Sequence, residues 1–98
     1  MRNQQILDEV KSTLALLTAK APGRAIEVRV PPYAAVQCGD GPTHTRGTPP
    51  NTIEMSADTW LALASGKLSW SDAMSSGAIA ASGVRADLTE YLPLGSEA

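Results

Sequence analysis

The amino-acid sequence predicts an α+β fold in which residues 1–98 form a single domain. Three observations lead to this prediction: an amphipathic helical pattern at the start, short segments that alternate apolar and polar residues, and two short helical patterns near the end. Each of the two short patterns begins after a serine and ends at a glycine. Together they predict about four strands, one leading helix and short C-terminal helices.

The leading helix is predicted over residues 4–20, where apolar side chains recur at steps of three and four. Asn3 can cap its first turn, and Pro22 and Gly23 end it. Its polar side is not basic, which favours a helix that lies on a sheet over one that lies on a membrane surface. The apolar positions are Ile6, Leu7, Val10, Leu14 and Leu17.

Two strands follow and are predicted to pair with each other. Apolar and polar residues alternate in 26–30 and again in 33–38, which is typical of strands with one buried face. Pro31 and Pro32 interrupt the pattern because neither can donate a ladder hydrogen bond. The connection is too short for a parallel crossover, so we expect an antiparallel pair with Cys38 facing inward.

The remaining elements follow one another with little sequence between them. A strand at 52–55 precedes the two short helices, and a further strand and a final helical turn come after them. A serine oxygen can cap each short helix, and a glycine can adopt the left-handed conformation that ends it. These capping serines and terminal glycines are Ser56, Gly66, Ser69 and Gly77.

The segment 39–51 is a predicted loop rich in turn-forming residues. It contains the only histidine, His44, close in sequence to Cys38, Asp40 and Arg46. A Cys–His pair can act as a nucleophile and its base, but the inward position of Cys38 favours a buried, inert thiol. The donors are too few for a structural zinc site. We therefore predict no catalytic residue and no metal, and we interpret Asp40, His44 and Arg46 as a loop that either binds an anion or a protein partner, or pairs internally.

Composition excludes several classes of function. The net charge is −2 and 18% of residues are charged, so we expect no nucleic-acid partner. No stretch approaches the roughly 20 apolar residues of a membrane span, so we expect no integral membrane association. The single cysteine allows no internal disulfide, which favours a cytoplasmic localisation. No cofactor is expected.

The order and spacing of elements over 53–94 resemble the C-terminal half of the sterol carrier protein fold. In that family an aliphatic helix ends in Gly-Lys-Leu, as at 66–68, and the last turn reaches a Leu-Pro-Leu-like end, as at 92–94. The whole sequence is most similar to a small actinobacterial branch of these proteins. The resemblance implies a small mixed sheet covered on one face by the helices, and lipid binding in an apolar tunnel without catalysis. The chain lacks the long apolar tail of lipid-carrying members, so we expect a reduced tunnel.

Two hypotheses of function remain open at this point. The first is non-enzymatic binding or carriage of a small apolar or lipid-like ligand between helices and sheet. The second is a protein-interaction or accessory module with a filled core, because apolar pockets and cores use the same residue types. The side chains that we predict to contact a ligand are Trp60, Leu63, Leu68, Trp70, Met74 and Leu92.

Overall fold

The structure, a computed structural model, describes residues 4–41 and 51–94. Its elements follow the predicted order, and a 3₁₀ turn near the end is the predicted final helical turn. The helices are α1 (Gln4–Lys20), α2 (Ala57–Ser65) and α3 (Trp70–Ser75), the strands are β1 (Ile26–Val30), β2 (Ala34–Cys38), β3 (Asn51–Met55) and β4 (Ile79–Ser82), and the 3₁₀ turn is Thr89–Tyr91.

The four strands form one mixed sheet in the order β2-β1-β3-β4. β1 pairs antiparallel with β2 and parallel with β3, so that Val28 lies between Val36 and Ile53. β4 pairs antiparallel with β3, with Met55 opposite Ile79. The prediction of an α+β fold with a four-stranded mixed sheet is therefore confirmed, and β1 and β2 have the predicted antiparallel pairing.

One face of the sheet is covered by helices, and the other is exposed. Val28 and Ile53 on the covered face are fully buried, whereas their neighbours Arg29 and Glu54 on the opposite face are exposed. α1 packs against β2 and α2. On the exposed face Arg29 Nε donates to Glu27 Oε2 at 2.6 Å. The alternation of apolar and polar residues along the strands produces this two-sided sheet.

The core lies between the covered face and the helices. All three α1 residues that are buried, Val10, Leu14 and Leu17, belong to the predicted apolar stripe. The sheet and α2 supply most of the other large side chains. The bulkiest fully buried hydrophobic residues are Trp60, Leu14, Leu17, Ile53, Leu63 and Leu88.

The two short helices have the predicted caps. Ser56 Oγ accepts a hydrogen bond from Thr59 N at 3.2 Å at the start of α2, and Ser69 plays the same part for α3. Gly66 and Gly77 follow the helix ends with φ of 85° and 80°. In each case the next amide donates to a carbonyl of the last turn, which satisfies groups that the helix leaves open.

Two details complete the comparison with the sequence. β3 begins at Asn51, one residue before the predicted strand, because Asn51 continues the ladder opposite Ile26. The predicted cap Asn3 and the loop residues His44 and Arg46 lie outside the described residues.

Candidate functional site

An apolar cleft of about 260 Å³ opens between α2, α3 and the last described residues of the chain. We call residues 89–94 the C-terminal segment. Aliphatic and aromatic side chains supply most of the cleft wall, with two hydroxyl groups beside them. The lining residues are Leu63, Gly66, Leu68, Ser69, Trp70, Thr89, Leu92 and Pro93.

The turn between α2 and α3 forms one wall of the cleft. Because Gly66 ends α2, the chain reverses there, and the amides of Lys67 and Leu68 both donate to Ala62 O, at 2.9 and 3.2 Å. This turn holds the half-buried Leu68 against the cleft. The half-buried Trp70 follows at the first residue of α3.

The C-terminal segment forms the opposite wall and is tied to two helices. Lys20 Nζ, at the end of α1, donates to Tyr91 O at 2.8 Å and to Pro93 O at 3.4 Å. Leu94 N donates to Ala64 O of α2 at 3.0 Å. These bonds fix the residues between them that line the cleft. Lys20 and Tyr91 are 71 positions apart, so no local sequence pattern predicts their contact.

Four of the six side chains predicted to contact a ligand line this cleft. The other two do not. Leu63 is a buried residue of its wall, and the lining residues belong to the helices, their connection and the C-terminal segment rather than to the strands. The four residues that the fold brings together are Leu63, Leu68, Trp70 and Leu92.

Trp60 and Met74, the other two predicted contacts, do not line this cleft. Trp60 is fully buried in the core, and its indole Nε1 donates to Thr13 Oγ1 of α1 at 2.7 Å. Met74 is 42% exposed. Helical spacing identifies the inward side of a helix, but it does not separate a core position from a cavity wall.

A second cleft, of about 350 Å³, borders the C-terminal segment and has charged side chains in its wall. Here Arg85 Nη1 donates to Asp40 O at 2.8 Å, and Asp87 Oδ1 accepts from Thr89 N at 2.7 Å. Partial burial and a hydrogen bond with Glu90 raise the pKa of Tyr91. The Arg85 contact ties the end of β2 to the chain that follows β4. Of the three predicted partner residues Asp40, His44 and Arg46, Asp40 lies in the described part of the chain, and it is exposed.

Asn51 is the buried polar residue that sequence reasoning missed. It is 2% exposed, its Nδ2 donates to Ala25 O at 2.8 Å, and its Oδ1 accepts from Arg85 N at 2.9 Å. A buried carboxamide with both ends bonded stabilises the strand that carries it. No signal in the sequence marks this role, because both partners are distant along the chain.

Cys38 is fully buried at the end of β2. Burial raises the pKa of its thiol to about 11, so the thiol is protonated at neutral pH and is a poor nucleophile. His44, which the catalytic alternative would need as a base, lies outside the described residues. Within 4–41 and 51–94, no three His, Cys, Asp or Glu side chains are placed to hold a metal ion.

Within the part of the chain that the structure describes, no helix has the length and hydropathy needed to cross a bilayer.

Comparison with known proteins places this fold in a family. Among curated proteins, none shows significant similarity to the chain. The family described as bacterial SCP ortholog, in which SCP denotes sterol carrier protein, matches residues 2–94. Because this match spans nearly all of the sequence and the sheet and helices agree with it, the chain belongs to the bacterial sterol carrier protein-like family.

Proposed function

We propose that this protein binds a small apolar or lipid-like ligand, without catalysis, in the cleft between α2, α3 and the C-terminal segment. The observation that carries the proposal is the convergence of Leu63, Leu68, Trp70 and Leu92 on one cleft from three separate parts of the chain. Removal of apolar ligand surface from water provides the driving force. The hydroxyls of Ser69 and Thr89 are the polar groups on the wall that can orient a ligand.

Family membership supports the same proposal. Sterol carrier protein-like families are generally carriers rather than enzymes. The inert environment of Cys38 agrees with a binding role, since the catalytic alternative requires its thiolate.

The size of the cleft limits the ligand. Pockets for drug-sized ligands have volumes of about 300–1,000 Å³, and this cleft of about 260 Å³ lies just below that range. We therefore expect a short acyl chain, or one end of a longer ligand, to be buried.

Titration of fatty acids of increasing chain length, followed by tryptophan fluorescence, tests the proposal. A saturable change is expected from the half-buried Trp70 at the cleft wall, and Trp70→Phe is expected to abolish it. Trp60 is buried against Thr13 and serves as a constant background. Absence of a saturable change with any fatty acid, acyl-CoA or sterol contradicts the proposal.

A matched pair of variants tests whether the ligand binds in this cleft. Leu68→Asp places a charge in the cleft and is expected to raise the Kd at least about tenfold, which corresponds to about 1.4 kcal/mol. Leu61→Asp is the control, because Leu61 is also half-buried but borders a groove between α1 and α2 instead. Equal losses of affinity in the two variants contradict binding in the cleft.

The second candidate is an interaction or accessory module, and one observation favours it. Between the helices and the sheet, large side chains of the described residues, such as Trp60, Leu14 and Ile53, are fully buried, as expected of a filled core. In this function the predicted loop of Asp40, His44 and Arg46 contacts the partner. The same titration separates the two candidates, because a module gives no saturable lipid signal.

A further inference from the structure

β4 is an edge strand with one unpaired side. Among the residues that the structure describes, it pairs with β3 alone, and Ala80, Ala81 and Ser82 are all exposed. Residues 73–84 contain no charged side chain, although 18% of the whole sequence is charged. The backbone groups on the outer side of this strand therefore face solvent beside small, uncharged side chains.

Native edge strands usually carry features that prevent pairing with another chain, such as charges, proline or a bulge. β4 has neither charge nor proline, and its pairing with β3 is continuous from Ile79 to Ser82. The opposite edge, β2, differs, since it follows the Pro31–Pro32 turn and α1 packs against it. The exposed edge at β4 is therefore suited to accept a further strand.

Two exposed hydrophobic residues flank this edge. The described residues contain three large hydrophobic side chains that are exposed, namely Leu16, Met74 and Val84. Met74 lies on α3, which packs on β4, and the fully exposed Val84 comes two residues after the strand ends. The edge thus combines unpaired backbone groups with apolar side chains that a partner can cover.

We propose that β4 pairs antiparallel with β4 of a second copy of this chain. A two-fold axis through such a pair places the residue on the axis opposite its own copy and keeps every other residue of this short strand close to its counterpart, so a charge on the strand repels its counterpart, and β4 carries none. A pair centred on Ala80 places Ile79 opposite Ala81 of the second copy on the helix-covered face. There the large side chain of Ile79 contacts the small side chain of Ala81, and the two four-stranded sheets join into a single sheet of eight strands.

The interface is small, so the dimer is weak. Strand pairing over four residues and the contacts of Met74 and Val84 bury less than the total of about 1,200 Å² that stable interfaces require. We therefore expect a reversible dimer whose population rises with protein concentration.

Sedimentation velocity over a concentration series extending to millimolar protein tests this proposal. The wild-type protein is expected to shift from monomer to dimer, and Ala80→Lys is expected to remain monomeric because two lysines meet at the axis. The new lysine lies beside Glu54 within its own chain, which favours folding. Ala35→Lys is the control, an exposed alanine on the other edge strand, and it is expected to dimerise like the wild type.

A disulfide test fixes the register. Ala80→Cys is expected to form a disulfide-linked dimer under mild oxidation, while Ala35→Cys is not, and the buried Cys38 does not react in either. A wild-type protein that stays monomeric over the whole concentration series overturns the proposal. The edge of β4 would then be left for a strand of another protein. A dimer that Ala80→Lys leaves intact also overturns it, because the interface then lies elsewhere. Neither readout depends on lipid binding.

Discussion

At the scale of single residues, two buried groups lie in different environments. They are the carboxamide of Asn51 and the thiol of Cys38. Asn51 has a partner for its donor and for its acceptor, so its burial leaves neither group unsatisfied. Cys38 lies opposite Ile26 in the β1–β2 ladder and is surrounded by the core, where its neutral form is favoured. The first residue connects distant segments, whereas the second fills space.

The raised pKa of Cys38 predicts a pH dependence of stability. The pKa of the folded state, about 11, is higher than the ordinary value of 9.0, so the folded protein retains a proton that the unfolded chain releases between these values. The contribution of Cys38 to the free energy of unfolding is therefore fully present below pH 9 and is lost as the pH rises toward 11. Urea unfolding at a series of pH values measures it.

Cys38→Ala provides the control for this measurement. All other ionisable groups are common to the two proteins, so a steeper loss of stability in the wild type isolates the thiol. Parallel stability curves for the two proteins contradict the assignment.

At the scale of elements, the short helices α2 and α3 are stable here because both of their ends are capped. α2 has nine residues and α3 has six, lengths at which an isolated helix is unstable in water. The serine caps satisfy amides at the start of each helix, and the glycine turns satisfy carbonyls at its end. The same turns direct the chain so that Leu68 and Trp70 face the cleft.

Gly66 and Gly77 form a matched pair for testing these turns. Both have positive φ, so substitution by alanine is expected to cost about 1–2 kcal/mol of unfolding free energy at either site. A Cβ at Gly66 lies 3.4 Å from Pro93 Cβ, while one at Gly77 meets nothing within 4 Å. Because Gly66 lines the cleft and Gly77 does not, the methyl group of Gly66→Ala occupies cleft space and is expected also to weaken ligand binding, whereas Gly77→Ala is not. Chemical denaturation and lipid titration measure the two effects, and equal binding losses contradict the role of Gly66 in the cleft wall.

At the scale of the whole molecule, bonds between distant segments close the structure around the cleft. Lys20 at the end of α1 and Ala64 on α2 both bond to the C-terminal segment. The cleft is therefore a property of the assembled chain, since its walls belong to parts that meet only after folding.

Lys20→Met is expected to loosen the C-terminal segment. The variant removes a charged donor from two carbonyls, and an exposed bond of this kind contributes about 1 kcal/mol. Hydrogen exchange of 89–94 is expected to accelerate several-fold, with the sheet unaffected. Lys11→Met, an exposed lysine on the same helix, is the control, and identical exchange in the two variants contradicts the tie between α1 and this segment.

The sequence by itself determined the local structure of this protein. Its local signals depend on residues at most a few positions apart, so the bounds of the elements can be predicted from the sequence. These signals are the spacing of apolar residues in α1, the alternation in β1 and β2, and the caps of α2 and α3. The resemblance over 53–94 added the family and the mixed sheet. Four of the six predicted ligand contacts reached one cleft because they lie on or beside elements that the sequence defines.

The tertiary structure alone decided where those elements meet. It placed β3 parallel to β1, buried Trp60 against Thr13, gave Asn51 its two partners and exposed Met74. The physical reason is that these outcomes depend on packing and hydrogen bonds between residues far apart in the chain. A periodic pattern shows which side of a helix is buried, and only the arrangement of its neighbours determines whether that side fills the core or borders a cleft.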